Sequence, residues 1–315
     1  MNKSVELSII IPLFNEAENL DILINRIDAL VKTMSISVEV ILVDDHSNDS
    51  SVEIIKDYCK TYEYLKFIKL SKNSGSHIAI IAGFQISTGN AVVFLAGDLQ
   101  DPPELIQEML HKWKQNYDVI WAVREFREGI SFISKSLSNI FYKLFNFSTD
   151  LYIPPKGADF ALLDRKVVDA LLKSVGTKPS LGALIMWLGF KQTQIAYVKE
   201  SRKFGKSKWT LAKKINAFTD AFVGFSVLPL RLMSIVGILT SFFGFIYAII
   251  LLVLKLTSNI GLEGWTSLIV VILVVGGLQM LMLGIIGEYL WRNLEESRKR
   301  PLFFIEESLN IEPKQ

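Results

Sequence analysis

Between residues 7 and 120 the chain alternates continuous apolar runs with stretches of helical periodicity. The apolar runs read LSIIIPLF, VEVILVDD, LKFIKLS and AVVFLAG, and amphipathic stretches such as ENLDILINRIDALVK separate them. Strands without polar alternation that are separated by amphipathic helices indicate a parallel sheet with both faces covered. The pattern therefore predicts an α/β domain built on a Rossmann-like, mostly parallel sheet.

Polar side chains follow each of these apolar runs. They are Asn15 and Glu16, Asp44 and Asp45, Asn73, and the carboxylates and amide of residues 98–101. In a parallel sheet the carboxyl ends of the strands share one edge, and ligands bind there. We expect these side chains to gather at that edge as a functional site. The alternative is that the Asp and Pro residues only end the strands.

Two uncharged segments, residues 232–254 and 265–287, lie near the carboxyl end. Each is about as long as the roughly 20 residues that cross a hydrocarbon core, so the pattern predicts a hairpin of two transmembrane helices. Lys255 is the only basic residue of the linker. The outer flanks carry seven basic residues: Lys213, Lys214, Arg231, Arg292, Arg298, Lys299 and Arg300. Because basic residues favour the cytoplasm, we expect an inner-membrane protein with both termini and the amino-terminal domain cytoplasmic.

Aromatic-rich amphipathic stretches occupy residues 130–147 and 208–226. Such helices lie in the headgroup plane of a membrane, although packing against a domain core would give the same pattern. The predicted organisation is an α/β domain over 1–207, an interfacial helix and linker over 208–231, two spans over 232–290 and a cytoplasmic tail over 291–315. The tail predicts a short strand, which is compatible with a homo-oligomer.

Composition narrows the range of partners. Lys and Arg total 34 against 32 acidic residues, so the net charge gives no reason to expect a nucleic-acid partner. The single cysteine, Cys59, excludes an internal disulfide and fits a reducing compartment.

A set of motifs in a fixed order carries a family resemblance. They are SIIIPLFNEAENL, VEVILVDDHSNDSS, AGDLQDPPEL, GADFALLDRKVVDAL, ESRKFGKSKW, PLRL and GEYLWR. Over roughly residues 5–305 the chain resembles the family 2 glycosyltransferases with a GT-A fold, and within them the polyprenyl-phosphate glycosyltransferases. The resemblance implies inverting transfer of a hexose from a nucleotide-sugar to a polyprenyl phosphate such as undecaprenyl phosphate. A UDP-sugar is favoured by analogy with the bacterial members.

The diphosphate of such a donor calls for a hard divalent cation, Mg²⁺ or Mn²⁺, held by oxygen ligands. Asp98 matches the second carboxylate of the family's Asp-x-Asp pair, and we expect Asp98 and Gln100 to bind the metal. The first carboxylate of the pair is replaced by Ala96. Asp101 either compensates for it or begins the turn before Pro102.

The resemblance also places four side chains of the first two strand ends near the nucleotide: Asn15, Glu16, Asp44 and Asp45. Asp45 is expected to accept a hydrogen bond from the base, and Asn73 is a further candidate for nucleotide binding. Helix capping is the alternative role for these residues. His46 stands where the family usually has glycine, and we interpret it as an exposed loop side chain.

Basic residues are expected to hold the acceptor phosphate and the leaving diphosphate. Arg124 and Arg127 are candidates, and Arg202 and Lys208 match an Arg-x-x-Gly-x-Ser-Lys pattern of the family, although a solvated loop would also contain such residues. Asp159 matches the residue that faces the acceptor, and it would orient the lipid phosphate first and act as a base second. Ala161 replaces an arginine of the family pattern.

Two other functions fit part of the pattern. A processive polysaccharide synthase would carry a Gln-x-x-Arg-Trp motif, which does not occur in this sequence. A catalytically weak or inactive member that binds nucleotide-sugar or lipid within an assembly would explain Ala96 and Ala161.

Overall fold

The computed structural model describes residues 5–125, 158–177, 180–200, 228–257 and 264–311. The chain divides into two compact units. One unit contains Met1–Ala221 together with Pro301–Gln315, and the other contains Phe222–Arg300.

An eight-stranded sheet forms the centre of the first unit. Its strands are β1 (Leu7–Leu13), β2 (Val38–Asp44), β3 (Leu65–Leu70), β4 (Ala91–Phe94), β5 (Val119–Arg124), β6 (Ala158–Asp164), β7 (Gln192–Tyr197) and β8 (Ile305–Leu309). Their order across the sheet is β7-β5-β6-β4-β1-β2-β3-β8. The pairs β1–β2, β1–β4, β2–β3 and β5–β7 are parallel, while β6 and β8 run antiparallel to their neighbours. The predicted mostly parallel sheet is therefore confirmed.

Six helices belong to this unit in the part of the chain that the structure describes. They are α1 (Ala17–Thr33), α2 (Ser51–Thr61), α3 (Ser76–Ile86), α4 (Ile106–Lys114), α5 (Arg165–Ser174) and α6 (Leu181–Trp187). Helix α1 buries Leu20, Leu23, Ile24 and Ile27, whose spacing makes one apolar stripe. Helix α3 is buried over most of its length, and a Cβ on its Gly83 would overlap the side chain of Ile10. Glycine thus allows α3 to pack closely on β1.

A buried ionic network joins the amino ends of the strands, at the edge opposite the polar strand ends. The carboxylate of Glu39 accepts hydrogen bonds from Ser8 Oγ (2.5 Å), Lys66 Nζ (2.5 Å) and the Thr88 amide (2.6 Å). Burial raises the pKa of Glu39, but the hydrogen bonds from Lys66, Ser8 and Thr88 outweigh it, so the pKa is lowered overall. The network therefore stabilises the sheet with Glu39 ionised.

The second unit contains two long helices, α7 (Leu228–Thr257) and α8 (Trp265–Ser297). Their apolar stretches, Leu228–Leu251 and Leu268–Ser297, are long and apolar enough to cross a membrane. The most hydrophobic part of each stretch is not buried within the protein. Both helices extend beyond the uncharged segments that predicted them. The predicted interfacial helices over 130–147 and 208–226 lie outside the described residues.

The tail forms the strand that the sequence predicts. Strand β8 pairs antiparallel with β3, and Lys56 and Lys69 bind Glu307 and Glu306 at 2.6 and 3.0 Å. Asn310 Nδ2 donates to the carbonyl oxygens of Cys59 and Leu65, at 2.9 Å each. The strand that suggested self-association is thus paired within its own chain, and a homo-oligomer stays a prediction.

Candidate functional site

The polar loops meet where the strand order reverses. Strand β1 lies between β2 and β4, so successive connections leave it in opposite directions. A crevice at such a switch point is where open α/β sheets bind ligands. A Cβ on Gly97 would collide with the side chain of Leu13, so the loop after β4 lies directly over the end of β1. The predicted gathering of strand-end residues is confirmed for the loops after β1, β2, β3 and β4.

Asn15 joins the loops after β1 and β2. Its backbone is left-handed, with φ of 51°. The Asn15 amide donates to Ser47 Oγ (2.9 Å), and its Oδ1 accepts from the Asn48 amide (2.8 Å). Asn15 therefore links the loop after β1 to the loop after β2. The N-cap position of α1 is occupied by Glu16.

Glu16 is partly exposed at the start of α1. Its amide donates to Ser51 Oγ (3.0 Å), and its Oε2 accepts from Asn19 Nδ2 (2.6 Å). Asp49 also links the two helix starts, because its carboxylate accepts from the amides of Ala17 (3.2 Å) and Ser51 (3.0 Å). The amino ends of α1 and α2 are thereby fixed side by side.

Asp44 and Asp45 differ in how their oxygens are satisfied. Asp44 is wholly buried, and its Oδ2 accepts from the Ser47 amide at 2.9 Å. Its Oδ1 is buried without a hydrogen-bond partner. An unsatisfied buried acceptor costs about 1–3 kcal/mol, so a donor brought by a ligand or water would be stabilising here.

Asp45 holds the loop after β3. Its Oδ1 accepts from the Ser74 amide (2.6 Å) and its Oδ2 from the Gly75 amide (2.8 Å), where Gly75 has φ of 92°. Glycine adopts that backbone without strain. Burial, together with the charge of Asp44, raises the pKa of Asp45, and the two amide hydrogen bonds oppose that rise only in part. The side chain thus orders this loop whatever else it binds.

Two residues flank this carboxylate pair. Asn73 is exposed and directly precedes the two amides that bind Asp45. The His46 side chain, interpreted from sequence as an exposed loop residue, is 40% exposed, and its Nδ1 lies 3.2 Å from the Leu70 carbonyl oxygen and 3.8 Å from Glu306. His46 therefore contacts the tail strand at the rim of the site.

Asp98 and Gln100 lie in the loop after β4, and both are partly exposed. Asp98 Oδ1 accepts from the Gln100 amide at 3.2 Å, across Leu99, which is buried and left-handed with φ of 60°. These two side chains offer the oxygen ligands that a hard cation prefers. Across the described segments no group of three or more His, Cys, Asp or Glu side chains could hold a metal. Two such side chains would leave most of the coordination shell of a divalent cation to other oxygen ligands, and Mg²⁺ usually keeps several waters in that way.

Asp101 braces this loop from the inside. Its side chain is 2% exposed, and Oδ1 lies 2.7 Å from the Tyr197 hydroxyl and 3.2 Å from Lys199 Nζ. The carboxylate is thus buried in an ion pair at the end of β7. Of the two roles considered for Asp101, the structure supports the one that shapes the turn.

The remaining predicted residues are only partly described. Arg124 ends β5 and is partly exposed, and Asp159 lies within β6. Ala161 is fully buried, paired with Phe94 on one side and Trp121 on the other. A small residue fits that core position. Arg127, Arg202 and Lys208 lie outside the described residues.

Sequence reasoning missed a group that borders the site. Arg26 on α1 forms ion pairs with Glu104 at 2.7 Å and with Glu200 at 2.9 Å. Glu200 is also bonded to the loop after β4, because its amide donates to the Gln100 carbonyl oxygen at 3.0 Å. Glu104 and Glu200 belong to the motifs AGDLQDPPEL and ESRKFGKSKW, whereas Arg26 belongs to none. The three residues are far apart in sequence, so no local pattern indicates that they meet.

Comparison with known proteins gives consistent matches. The family model described as Glycosyl transferase family 2 matches residues 8–172. An uncharacterized glycosyltransferase of Bacillus subtilis (strain 168), YkcC, is 40% identical over 314 residues, covering 100% of this chain and 97% of the relative. The undecaprenyl-phosphate 4-deoxy-4-formamido-L-arabinose transferase of Yersinia enterocolitica is 33% identical over 313 residues, covering 98% of this chain and 95% of that protein.

Among solved structures, mannosyl-3-phosphoglycerate synthase from Rubrobacter xylanophilus matches with a TM-score of 0.50 and 18% identity. The match covers 69% of this chain and 72% of that chain. At that identity the likeness concerns the fold, which the two chains share.

Proposed function

Because the chain belongs to glycosyl transferase family 2 and has its GT-A fold, we propose that it transfers a hexose from a UDP-sugar to undecaprenyl or another polyprenyl phosphate. The observation that carries the donor side is the position of Asp98 and Gln100 at the switch point of the sheet. Their loop lies over Leu13, whose carbonyl oxygen accepts a hydrogen bond from the Asp45 amide. A nucleotide diphosphate needs both hydrogen-bond acceptors for its base and ribose and oxygen ligands for its cation. Asp98 and Gln100 are proposed to supply the ligands of the cation. The acidic pair of Asp44 and Asp45 is proposed to supply the acceptors.

The acceptor is proposed from two further observations. A relative that spans nearly the whole chain is named for undecaprenyl phosphate. The two apolar helices would hold the protein at a membrane, where a lipid phosphate is available. The flanking basic residues support an inner-membrane enzyme with its termini and catalytic domain on the cytoplasmic side.

The proposed metal is Mg²⁺ or Mn²⁺, held by Asp98 and Gln100. When bound, such a cation supplies positive charge that stabilises the departing nucleoside diphosphate. Arg124 stands at the end of β5, from which it would add positive charge to the phosphates. Arg127, Arg202 and Lys208 are proposed for the same task.

The proposed reaction does not require a general base. An oxygen of the lipid phosphate attacks the anomeric carbon while the bond from that carbon to the diphosphate breaks, so the configuration inverts. The attacking oxygen is already an anion, so no proton has to be removed. Asp159 is proposed to orient the acceptor, with a role as base second.

A transfer assay in detergent tests this function. Purified protein would be mixed with undecaprenyl phosphate and labelled UDP- and GDP-sugars, in Mg²⁺, Mn²⁺ or chelator. We expect one donor to yield a labelled, mild-acid-labile lipid, and chelator to abolish the product. Transfer despite chelator would refute the metal role. Binding of nucleotide without transfer from any donor would favour the inactive member suggested by Ala96 and Ala161.

A further inference from the structure

The guanidinium of Arg26 binds two carboxylates in two forks. Its Nε and Nη2 donate to Glu104 at 3.1 and 2.7 Å, and its Nη1 and Nη2 donate to Glu200 at 3.1 and 2.9 Å. All three guanidinium nitrogens are therefore used. The bonds join α1 to two segments that are 78 and 174 residues away along the chain.

Both carboxylates belong to segments that touch the loop of Asp98 and Gln100. Glu104 lies in the short 3₁₀ helix Pro103–Leu105, just after Gln100. Glu200 is bonded to Gln100 in both directions, because its amide donates to the Gln100 carbonyl oxygen (3.0 Å) and its carbonyl oxygen accepts from Gln100 Nε2 (3.5 Å). Arg26 thus holds Gln100 from its carboxyl-terminal side and through Glu200.

Stability alone does not explain this arrangement. The side chain of Arg26 is 21% exposed, but those of Glu104 and Glu200 are 58% and 37% exposed, and ion pairs with such exposed carboxylates typically add only about 0–1 kcal/mol to stability. Forked pairs between guanidinium and carboxylate are nevertheless specific in geometry. The network is therefore better suited to fixing positions than to holding the fold together.

We propose that Arg26 is a positioning residue for the metal-binding loop, and that it acts through Glu200 and Glu104 to keep Gln100 where it and Asp98 bind the cation of the donor. The inference rests on the proposed function. Arg26 is not one of the residues proposed to bind the metal or the substrates. Its role is that of an outer group that orients a ligand, for which substitutions typically cost about 10- to 100-fold in metal affinity.

Binding of Mn²⁺ in the presence of UDP, followed by electron paramagnetic resonance, tests the proposal without requiring turnover. We expect Arg26→Met and Glu200→Gln each to weaken Mn²⁺ binding about 10-fold. Arg26→Lys should retain only part of the Mn²⁺ affinity. The ammonium keeps the positive charge but cannot form two forked pairs with carboxylates. The matched control is Lys32→Met, which removes the 2.6 Å Lys32–Asp28 ion pair from the same helix. This control should bind Mn²⁺ as the parent protein does.

The double variant Arg26→Met with Glu200→Gln tests whether the two residues affect Mn²⁺ binding together or independently. If the two residues act in one chain of contacts, the double variant loses about 10-fold and not about 100-fold, because effects of coupled residues are not additive. Unchanged Mn²⁺ binding in Arg26→Met, or an equal loss in Lys32→Met, would overturn the proposal.

Amide hydrogen exchange over residues 98–105 distinguishes this proposal from the proposed function. We expect faster exchange there in Arg26→Met than in Lys32→Met, because the braced loop opens more readily. Equal exchange in the two variants would show that the ion pairs of Arg26 do not hold this loop in place. A parent protein that binds neither Mn²⁺ nor UDP would refute the proposed function, and the exchange result would still stand.

Discussion

The hydroxyl of Tyr197 donates a 2.7 Å hydrogen bond to Oδ1 of Asp101, and this bond ties the end of β7 to the loop that carries Asp98. The ring of Tyr197 also packs edge-on against Phe160, with 5.5 Å between ring centroids. Asp101 is therefore held from β7 while Gln100, its neighbour, is held by Glu200. The loop after β4 owes its shape to contacts with a segment about 100 residues further along the chain.

Tyr197→Phe tests this tie while preserving the packing of the ring. It removes one donor from a buried carboxylate, which costs about 1–3 kcal/mol. We expect the melting temperature of the detergent-solubilised protein to fall, followed by differential scanning fluorimetry. Tyr247→Phe on α7 is a suitable control, since Tyr247 is 55% exposed. A melting temperature equal to the parent's would show that the hydrogen bond contributes nothing to the fold.

Asp98 is predicted to be the indispensable ligand of the proposed cation. Asp98→Asn removes the charge but keeps the size, and we expect the rate of transfer to fall at least about 100-fold, since charge stabilisation by a metal is worth several kcal/mol. The control is Asp57→Asn, because the Asp57 side chain is 76% exposed in a surface pair with Lys60. Transfer by Asp98→Asn at near the parent rate would place the metal elsewhere or exclude its role.

Strands β1 to β4 could be predicted from the sequence, because each is a mostly apolar run of strand length. The patterns of β1 to β4 and the helices between them are local, and the polar residues that end the strands are adjacent to them in sequence. Asp45 and Asp98 could therefore be assigned to one edge before their contacts were known.

The antiparallel insertion and the braces of the site could not be predicted in this way. Strand β6 lies between β4 and β5, although its residues follow both in sequence. Arg26, Glu104 and Glu200 meet only through tertiary folding, and in the sequence each alone is an ordinary charged residue of a helix or loop. The burial of Glu39 could not be predicted either, because its partners Ser8, Lys66 and Thr88 come from three other segments of the chain.

The lowered pKa of Glu39 predicts a specific loss of stability in acid. A carboxylate with a lowered pKa in the folded protein stabilises the fold fully above the pKa of an unfolded glutamate, about 4.3. That stabilisation decreases as the pH falls from there towards the lower pKa of the folded protein. Melting temperatures measured between pH 7 and pH 3 should show Glu39→Gln less stable than the parent at pH 7, with the difference shrinking in acid.

The control for this pH series is Glu53→Gln, since Glu53 is exposed near the start of α2. We expect its melting temperature to follow that of the parent across the series. A constant difference between Glu39→Gln and the parent at every pH would mean that packing, rather than the charge of Glu39, carries the effect.

Gly97 is predicted to be required for the close approach of the loop after β4 to β1. A Cβ at this position would collide with the side chain of Leu13 and would lie 3.4 Å from the Pro12 carbonyl oxygen. Leu13 is 1% exposed in the packed core and has little room to move, so the loop itself must shift in Gly97→Ala. Because Asp98 is the next residue, we expect Mn²⁺ binding and transfer both to weaken. Gly182→Ala is the control, since a Cβ there would meet nothing within 4 Å. Full Mn²⁺ affinity in Gly97→Ala would show that Leu13 yields instead, and that the site does not depend on this close approach.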